Sequence, residues 1–233
     1  GTIRVQDEGS QLVALALASA APVRAGERWL DLCAGPGGKT ALLAAIAHRD
    51  GAELEANEVV PVRAGLVRKA LRPLPIEVPV HEQDGREFAA QHPGAFDRIL
   101  VDAPCTGLGA LRRRPEARWR KSPADVAELV VLQTQLLDGA IDALAPGGIV
   151  AYVTCSPHLS ETSGVISEVL RHRDDVAELD AQAVMRDVAA SPIDLASVPD
   201  REARHVQLWP HRHGTDAMFL ALLQRTPATA QEG

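Results

Sequence analysis

Apolar and polar positions fall into blocks that switch between two spacings along the chain. Short apolar runs of strand length occur at Arg28–Cys33, Leu54–Ala56, Arg98–Val101 and Ile149–Thr154. Between them lie stretches with helical composition, Lys39–His48, Val62–Leu71 and Pro123–Leu144. Pro61 stands near the start of the second, a favoured first-turn position. Pro146-Gly147-Gly148 stops the third. Glu77–Glu82 is a further strand signal, weakened by Pro79. Val206–Trp209 and Met218–Leu223 read as two more strands joined by a polar loop. Repeated β-α units with short connections predict an α/β fold with a parallel, doubly wound sheet, closed at one edge by an antiparallel pair. A length of 233 residues suits one domain, here residues 1–225, and the Ala/Thr/Gln stretch 226–233 is expected to fray.

In such a sheet, ligands bind outside the carboxyl ends of the strands. The unusual residues of this chain stand at those ends: Gly35 to Gly38, Glu58, Asp84, Asp102 to Cys105, and Thr154 to Ser156. The first of these loops, Asp31 to Thr40, is glycine-rich and opens a helix, so its backbone can approach a ligand closely. A phosphate loop needs glycine where Cys33 stands, and a dinucleotide fingerprint needs glycine where Thr40 stands, so both patterns fail. S-adenosylmethionine carries a carboxylate and no pyrophosphate, and requires only a short glycine turn. Glu58 then lies where an acid can hold both ribose hydroxyls, and Asp84 where a side chain can reach the adenine end. A tight turn with a buried Cys33 and no ligand is the alternative.

Composition narrows the partners. Hydrophobic residues make up 46% of the chain, enough for a real core. Leu12–Val23 is too short to span a bilayer, and Asp7 and Glu8 precede it where a signal peptide would be basic. The expected protein is therefore cytosolic, with no membrane partner. Three widely spaced cysteines suggest neither a disulfide framework nor a metal site. A net charge of −7 argues against nucleic acid when taken alone. The segment Leu111–Lys121 departs from that average, with Arg112, Arg113, Arg114, Arg118, Arg120 and Lys121 against the single acid Glu116. A basic loop on an acidic protein still attracts phosphate, although many such runs are only solvated surface.

Asp102-Ala103-Pro104-Cys105 and Thr154-Cys155-Ser156 would end adjacent strands and bring two thiols to one pocket. Buried free cysteines are often small hydrophobes without chemistry. A thiol at a cofactor pocket nevertheless has a specific use. Cytosine C5 is a poor nucleophile, and adding a thiolate to C6 makes C5 enamine-like, able to take a methyl group from a sulfonium. Loss of the C5 proton and expulsion of the thiol restore the ring. Asp102 is placed to contact the N3/N4 edge of the base. The base must be unpaired or flipped out for C6 to be reached.

These segments together resemble the Sun/Fmu (RsmB-like) branch of the RNA cytosine-C5 methyltransferases. The resemblance is carried by Val5 to Gln11, Asp31 to Thr40, Glu58 with Arg63, Asp84-Gly85-Arg86, Asp102 to Gly107 with Arg112-Arg113 and Pro115 to Trp119, and Thr154-Cys155-Ser156. It implies a Rossmann-like class I S-adenosylmethionine-dependent methyltransferase with a mostly parallel seven-stranded sheet and an antiparallel C-terminal edge. It implies that Cys33, Ala34, Gly35, Pro36, Gly37, Gly38, Lys39, Glu58, Arg63, Asp84 and Asp102 hold the cofactor. Cys155 is then the nucleophile, and Cys105 assists product release. Arg112, Arg113, Arg114, Arg118 and Lys121 are expected on the RNA, with small-subunit ribosomal RNA the expected substrate and a monomer the expected state. Members of this branch carry an N-terminal helical RNA-binding domain, which this chain is expected to lack. The sequence departs from the family at Ser160-Glu161-Thr162, where Glu-Glu-Asn is usual, and at Asp216-Ala217-Met218-Phe219, where Asp-Gly-Phe-Phe is usual. Two rival readings remain: a DNA cytosine methyltransferase using Cys105, and a catalytically silent RNA-binding factor.

Overall fold

The computed structural model describes residues 5–195 and 204–226. The expected tail lies, beyond Thr226, outside the described residues. In chain order the elements are α1 (Glu8–Ser19), β1 (Arg28–Asp31), α2 (Gly38–Asp50), β2 (Glu53–Asn57), α3 (Pro61–Leu71), β3 (Val80–His81), α4 (Gly85–Ala90), β4 (Phe96–Asp102), α5 (Pro123–Ala143), β5 (Leu144–Thr154), α6 (Ser163–His172), β6 (Val176–Glu178), α7 (Ala181–Val188), β7 (Val206–Gln207), α8 (Pro210–His213) and β8 (Phe219–Arg225).

The strands form one sheet in the order β3-β2-β1-β4-β5-β8-β6. Pairing is parallel from β3 through β5, and β8 runs antiparallel to β5 and β6. Seven strands make this path, as expected, and the two-residue β7 adds a short antiparallel pairing to β8. The antiparallel end is therefore richer than the sequence suggests. The strand β6, in an acidic stretch with no strong strand signal, covers the far end of β8.

Side chains alternate across the sheet. On β4, Leu100 joins one apolar cluster, with α1, α2, α3 and α7; Ile99 and Val101 join the other, with α4, α5 and α6. The result is a three-layer α/β/α sandwich with two buried cores. Local sequence sets most element ends. Gly51, at φ +77°, closes α2, and Pro61 occupies the first turn of α3. Ser122 and Asp125 form a reciprocal capping box at the start of α5. Two boundaries differ from expectation. The strand expected over 77–82 shrinks to Val80–His81, because Pro79 has no N–H to donate; its carbonyl still accepts from the Ala56 N–H. Pro146-Gly147-Gly148 does not precede β5 but lies within it. The pairing slips there from Phe96↔Leu144 to Arg98↔Ile149, so the strand bulges.

One buried cation locks α1 to the sheet. Arg98 on β4 is 2% exposed and donates to the backbone carbonyls of Leu17 and Ala18 in the last turn of α1 and of Ala21 and Pro22 just beyond it. Its Nε donates to Glu27 at 2.8 Å, and Glu27 also accepts from the Trp29 indole. Burial opposes the Glu27 charge, but the Arg98 hydrogen bond and its other donors outweigh that and hold its carboxyl below the usual range. Replacing Arg98 with Ala takes from the buried Glu27 carboxylate its buried cation and from four carbonyls their charged donor. Chemical denaturation should show a loss of about 3–5 kcal/mol; a loss below about 1 kcal/mol would remove this lock from the account.

Candidate active site

Parallel register decides which residues meet. The β4–β5 ladder pairs Asp102 with Val153, so the loops after these strands leave the sheet side by side. The Cys105 and Cys155 sulfurs stand 3.4 Å apart, within hydrogen-bonding distance for thiols. The hydrogen bond from Cys105 lowers the Cys155 pKa against the opposing effect of burial, and the Lys39 ammonium adds to the lowering. Cys105 is pushed the other way by the same hydrogen bond and by burial. Within the pair Cys155 is thus the more acidic sulfur. Cys33 is raised well above the usual range by burial and by surrounding carboxylates, which disfavours its thiolate.

The glycine loop is held from two sides. Gly35, at φ +55°, donates its N–H to Glu58 Oε2 at 2.9 Å, and the other Glu58 oxygen accepts from the Val60 N–H. Gly37, at φ +84°, lies against α3 so closely that a Cβ would come within 2.8 Å of Val67 Cα. Ala34, Gly35, Pro36, Gly37 and Gly38 therefore follow a path that α3 and Glu58 jointly define. Lys39, the second residue of α2, forms a 2.7 Å ion pair with Asp102. Burial works against the Lys39 charge, but Asp102 and Asp31 outweigh it and raise its pKa. Asp84 caps α4, accepting from the Arg86 N–H, and its carboxylate pairs with the Arg86 guanidinium. Arg63 is exposed on the first turn of α3.

Two buried carboxyl groups at the strand ends are not among the residues expected from the sequence. Asp31 ends β1 and is fully buried; burial raises its pKa to about 7, against the Thr40 hydrogen bond. Its Oδ2 accepts from the Thr40 hydroxyl at 2.7 Å, while Oδ1 has no hydrogen-bond partner. Glu161 is also fully buried. Its carboxylate accepts from Thr106 N–H at 2.8 Å, Thr106 Oγ1 at 2.6 Å, Ser156 Oγ at 2.6 Å and Gln133 Nε2 at 3.1 Å. Thr106 follows Cys105 and Ser156 follows Cys155, so one carboxylate ties both cysteine loops. Gln133 also donates to the Pro104 carbonyl, and the Tyr152 hydroxyl to the Glu161 carbonyl. The available signal is a lone glutamate six residues after Cys155, which keeps the middle position of a tripeptide that differs from the family pattern on either side.

The arginine segment divides in two. Arg112 pairs with Asp7 and Asp216, and Arg113 pairs with Asp216, so these charges are answered within the chain. Burial opposes the Asp216 charge, yet the two guanidiniums hold its pKa below the usual range. This clamp joins the start of α1, the segment after Cys105 and the approach to β8. Gly109 sits at its centre: its N–H donates to the Cys155 carbonyl and its carbonyl accepts from the Ala217 N–H, both at 2.9 Å. Arg114, Arg118 and Lys121 are exposed beyond it. Among the described residues, no group of three or more His, Cys, Asp or Glu is placed to hold a metal ion, and no helix is long and apolar enough to cross a membrane.

A sheet of this order, with a glycine loop after β1, an acid after β2 and reactive residues after β4 and β5, is that of a class I methyltransferase. Residues 18–224 match the family described as 16S rRNA methyltransferase RsmB/F, and the chain belongs to that family. It is 56% identical over 226 residues to a Mycobacterium tuberculosis (strain ATCC 25618 / H37Rv) protein named as a candidate methyltransferase, covering 97% of this chain and 46% of that protein. It is 35% identical to ribosomal RNA small subunit methyltransferase B of Erwinia tasmaniensis, covering 96% of this chain and 47% of that one. The chain thus spans about half the length of the curated relatives it matches. A methyltransferase homologue from Pyrococcus horikoshii superposes with a TM-score of 0.75 at 28% identity, over 95% of this chain and 68% of that one. NSun6 from Pyrococcus horikoshii, solved with an S-adenosylmethionine analogue, shares the fold with a TM-score of 0.77 at 23% identity, over 96% and 53% of the two chains.

S-adenosylmethionine, the cofactor of this family, fits the strand-end pocket. The orphaned Asp31 oxygen offers a buried acceptor for an ammonium group, and Gly37 leaves no side chain between the loop and α3. Glu58 keeps a free lone pair on each oxygen for a ribose diol.

Two measurements probe this site. Asp31 has a folded pKa above its unfolded value, so its stabilising effect is complete below about pH 4 and is lost as pH rises towards 7. Asp31→Asn keeps an acceptor for Thr40 without titrating. Thermal melts of the cofactor-free protein should show the variant gaining on wild type between pH 4 and 7, by on the order of 3 kcal/mol; a pH-independent offset would contradict the raised pKa. Glu161→Gln sets an amide NH2 against hydroxyl and N–H donors. It should cost roughly 1–3 kcal/mol and, by alkylation and peptide mapping, blunt the preference of iodoacetamide for Cys155 over Cys105. An unchanged preference would show that the carboxylate does not hold the pair.

Proposed function

We propose that this chain is the catalytic part of an S-adenosylmethionine-dependent RNA cytosine-C5 methyltransferase acting on small-subunit ribosomal RNA through a covalent Cys155 adduct. The observation that carries this reading is the pair of thiols 3.4 Å apart at adjoining strand ends, beside Lys39 and Asp102.

The division of labour follows from the geometry and the charges. Cys155, favoured as thiolate, adds to C6 of an unpaired cytosine, and the displaced electron pair makes C5 nucleophilic. S-adenosylmethionine supplies the electrophilic methyl group when bound. Glu58, Asp31 and the loop Cys33 to Lys39 are the groups that would hold it. Lys39 fixes the orientation of Asp102, whose carboxylate faces the same end of the sheet and is suited to the N3/N4 edge of the base. After the C5 proton is lost, the C6–S bond breaks and the ring regains aromaticity. Cys155 departs as the thiolate that entered, and Cys105, the more proton-rich sulfur, assists its release by offering a hydrogen bond to it. Arg114, Arg118 and Lys121 provide exposed positive charge for phosphates. The names of the relatives support an RNA substrate of ribosomal origin.

Trapping tests the assignment. Fluorine at C5 blocks proton loss, so RNA containing 5-fluorocytosine should stall as a protein–RNA adduct on a denaturing gel in the presence of S-adenosylmethionine. The adduct is expected with wild type and Cys105→Ala and lost with Cys155→Ala. Loss with Cys105→Ala alone would reverse the roles and point to the mechanism of the DNA enzymes. No adduct from any folded, cofactor-binding variant would favour a silent RNA-binding protein.

A further inference from the structure

Next to the cysteine pair the surface opens into a groove of about 720 Å³, within the size range of small-ligand sites. Its lining includes Thr106, which follows Cys105, and His158, three residues after Cys155. Leu108, Val126 and Val130 contribute apolar surface, and Arg118 and Lys121 line it from the basic segment. Between these two cations in sequence stands Trp119, 82% exposed. The Arg118 guanidinium lies over its ring, 5.5 Å from the centroid. None of the chemistry at Cys155 uses this indole. The chain has only three tryptophans, and Trp29 is buried in the core.

We propose that Trp119, Arg118 and Lys121, with the adjoining groove, form a subsite for an unpaired nucleotide that flanks the target cytosine. The base stacks on the exposed indole, its phosphate meets Lys121 and Arg118, and the next base along the strand enters the apolar groove that these two cations line. This rests on the reading of the chain as an RNA methyltransferase and adds a second point of attachment to it. Charge selects the occupant: on a chain of net charge −7 this segment is basic, and a polymer that alternates flat apolar rings with phosphates matches both halves of the site. Bases stacked in a duplex have no free face to offer, so the site selects single-stranded RNA.

The test uses a short single-stranded oligoribonucleotide with 2-aminopurine beside a cytosine, at saturating S-adenosylmethionine. Wild type should quench the 2-aminopurine emission on binding. Trp119→Ala should lose the quench and weaken binding on the order of tenfold, while Trp119→Phe keeps most of both. Calorimetry should show the same S-adenosylmethionine affinity in all three proteins, which separates this proposal from the catalytic reading. If wild type binds no S-adenosylmethionine, the catalytic reading fails, and the subsite with it. If the cofactor binds but Trp119→Ala holds the oligoribonucleotide as tightly as wild type, the subsite alone is overturned and the groove is left to a protein partner. Equal wild-type affinity for the single strand and for a duplex of the same sequence overturns it too.

Discussion

A fully buried carboxylate with four neutral donors around it determines how the reactive centre is built. Glu161 gathers the Thr106 amide and hydroxyl, the Ser156 hydroxyl and the Gln133 amide. A buried anion is costly unless its lone pairs are filled. Once filled, the network is stiff, because any movement of either loop exposes an unpaired charge. Two segments fifty residues apart in sequence are thereby kept at the separation of two touching sulfurs. The parallel β4–β5 ladder brings the loops close, and the carboxylate fixes their final distance.

The same logic recurs where α1 joins the sheet and where the arginine segment joins α1. Arg98 satisfies four carbonyls and a carboxylate inside the protein, and Asp216 satisfies two guanidiniums near its surface. In each case a charge replaces what apolar packing cannot supply, namely a partner for polar groups left over at the end of an element. These joints also separate roles within one basic stretch. Arg112 and Arg113 hold the scaffold, and the cations after them face solvent.

Much of this could be read from the chain. The β-α alternation, the glycine loop, Glu58 and the two cysteines follow from local composition and from the rule that ligands gather at strand ends. Arg98 and Glu161 are not legible for a common reason. Each is a charged residue that gathers partners from distant segments, and a lone charge in a strand or turn reads as solvent-facing. Asp31 stands at the head of the glycine loop, whose pattern does not disclose that its carboxyl is buried. Arg98 meets carbonyls about eighty residues earlier, and nothing within FDRILVD signals it. The sequence does not disclose that Arg112 and Arg113 meet carboxylates of the chain, since a cluster of arginines looks free until its partners are located. β6 escaped notice because three residues in an acidic stretch carry too little periodicity, and β8 alone makes it a strand.

Gly109 has a consequence for how this region can evolve. Its backbone is clasped between the Cys155 and Ala217 carbonyls, and a Cβ there would lie 2.2 Å from one and 2.7 Å from the other. Every amino acid other than glycine brings that atom, so no codon change at this position is silent in structure unless it is silent in translation. The position would drift as little as Cys155, the proposed nucleophile, although it offers no side chain to any reaction. A pattern of invariance here would record the narrowness of a passage between two peptide planes rather than a role in bond making.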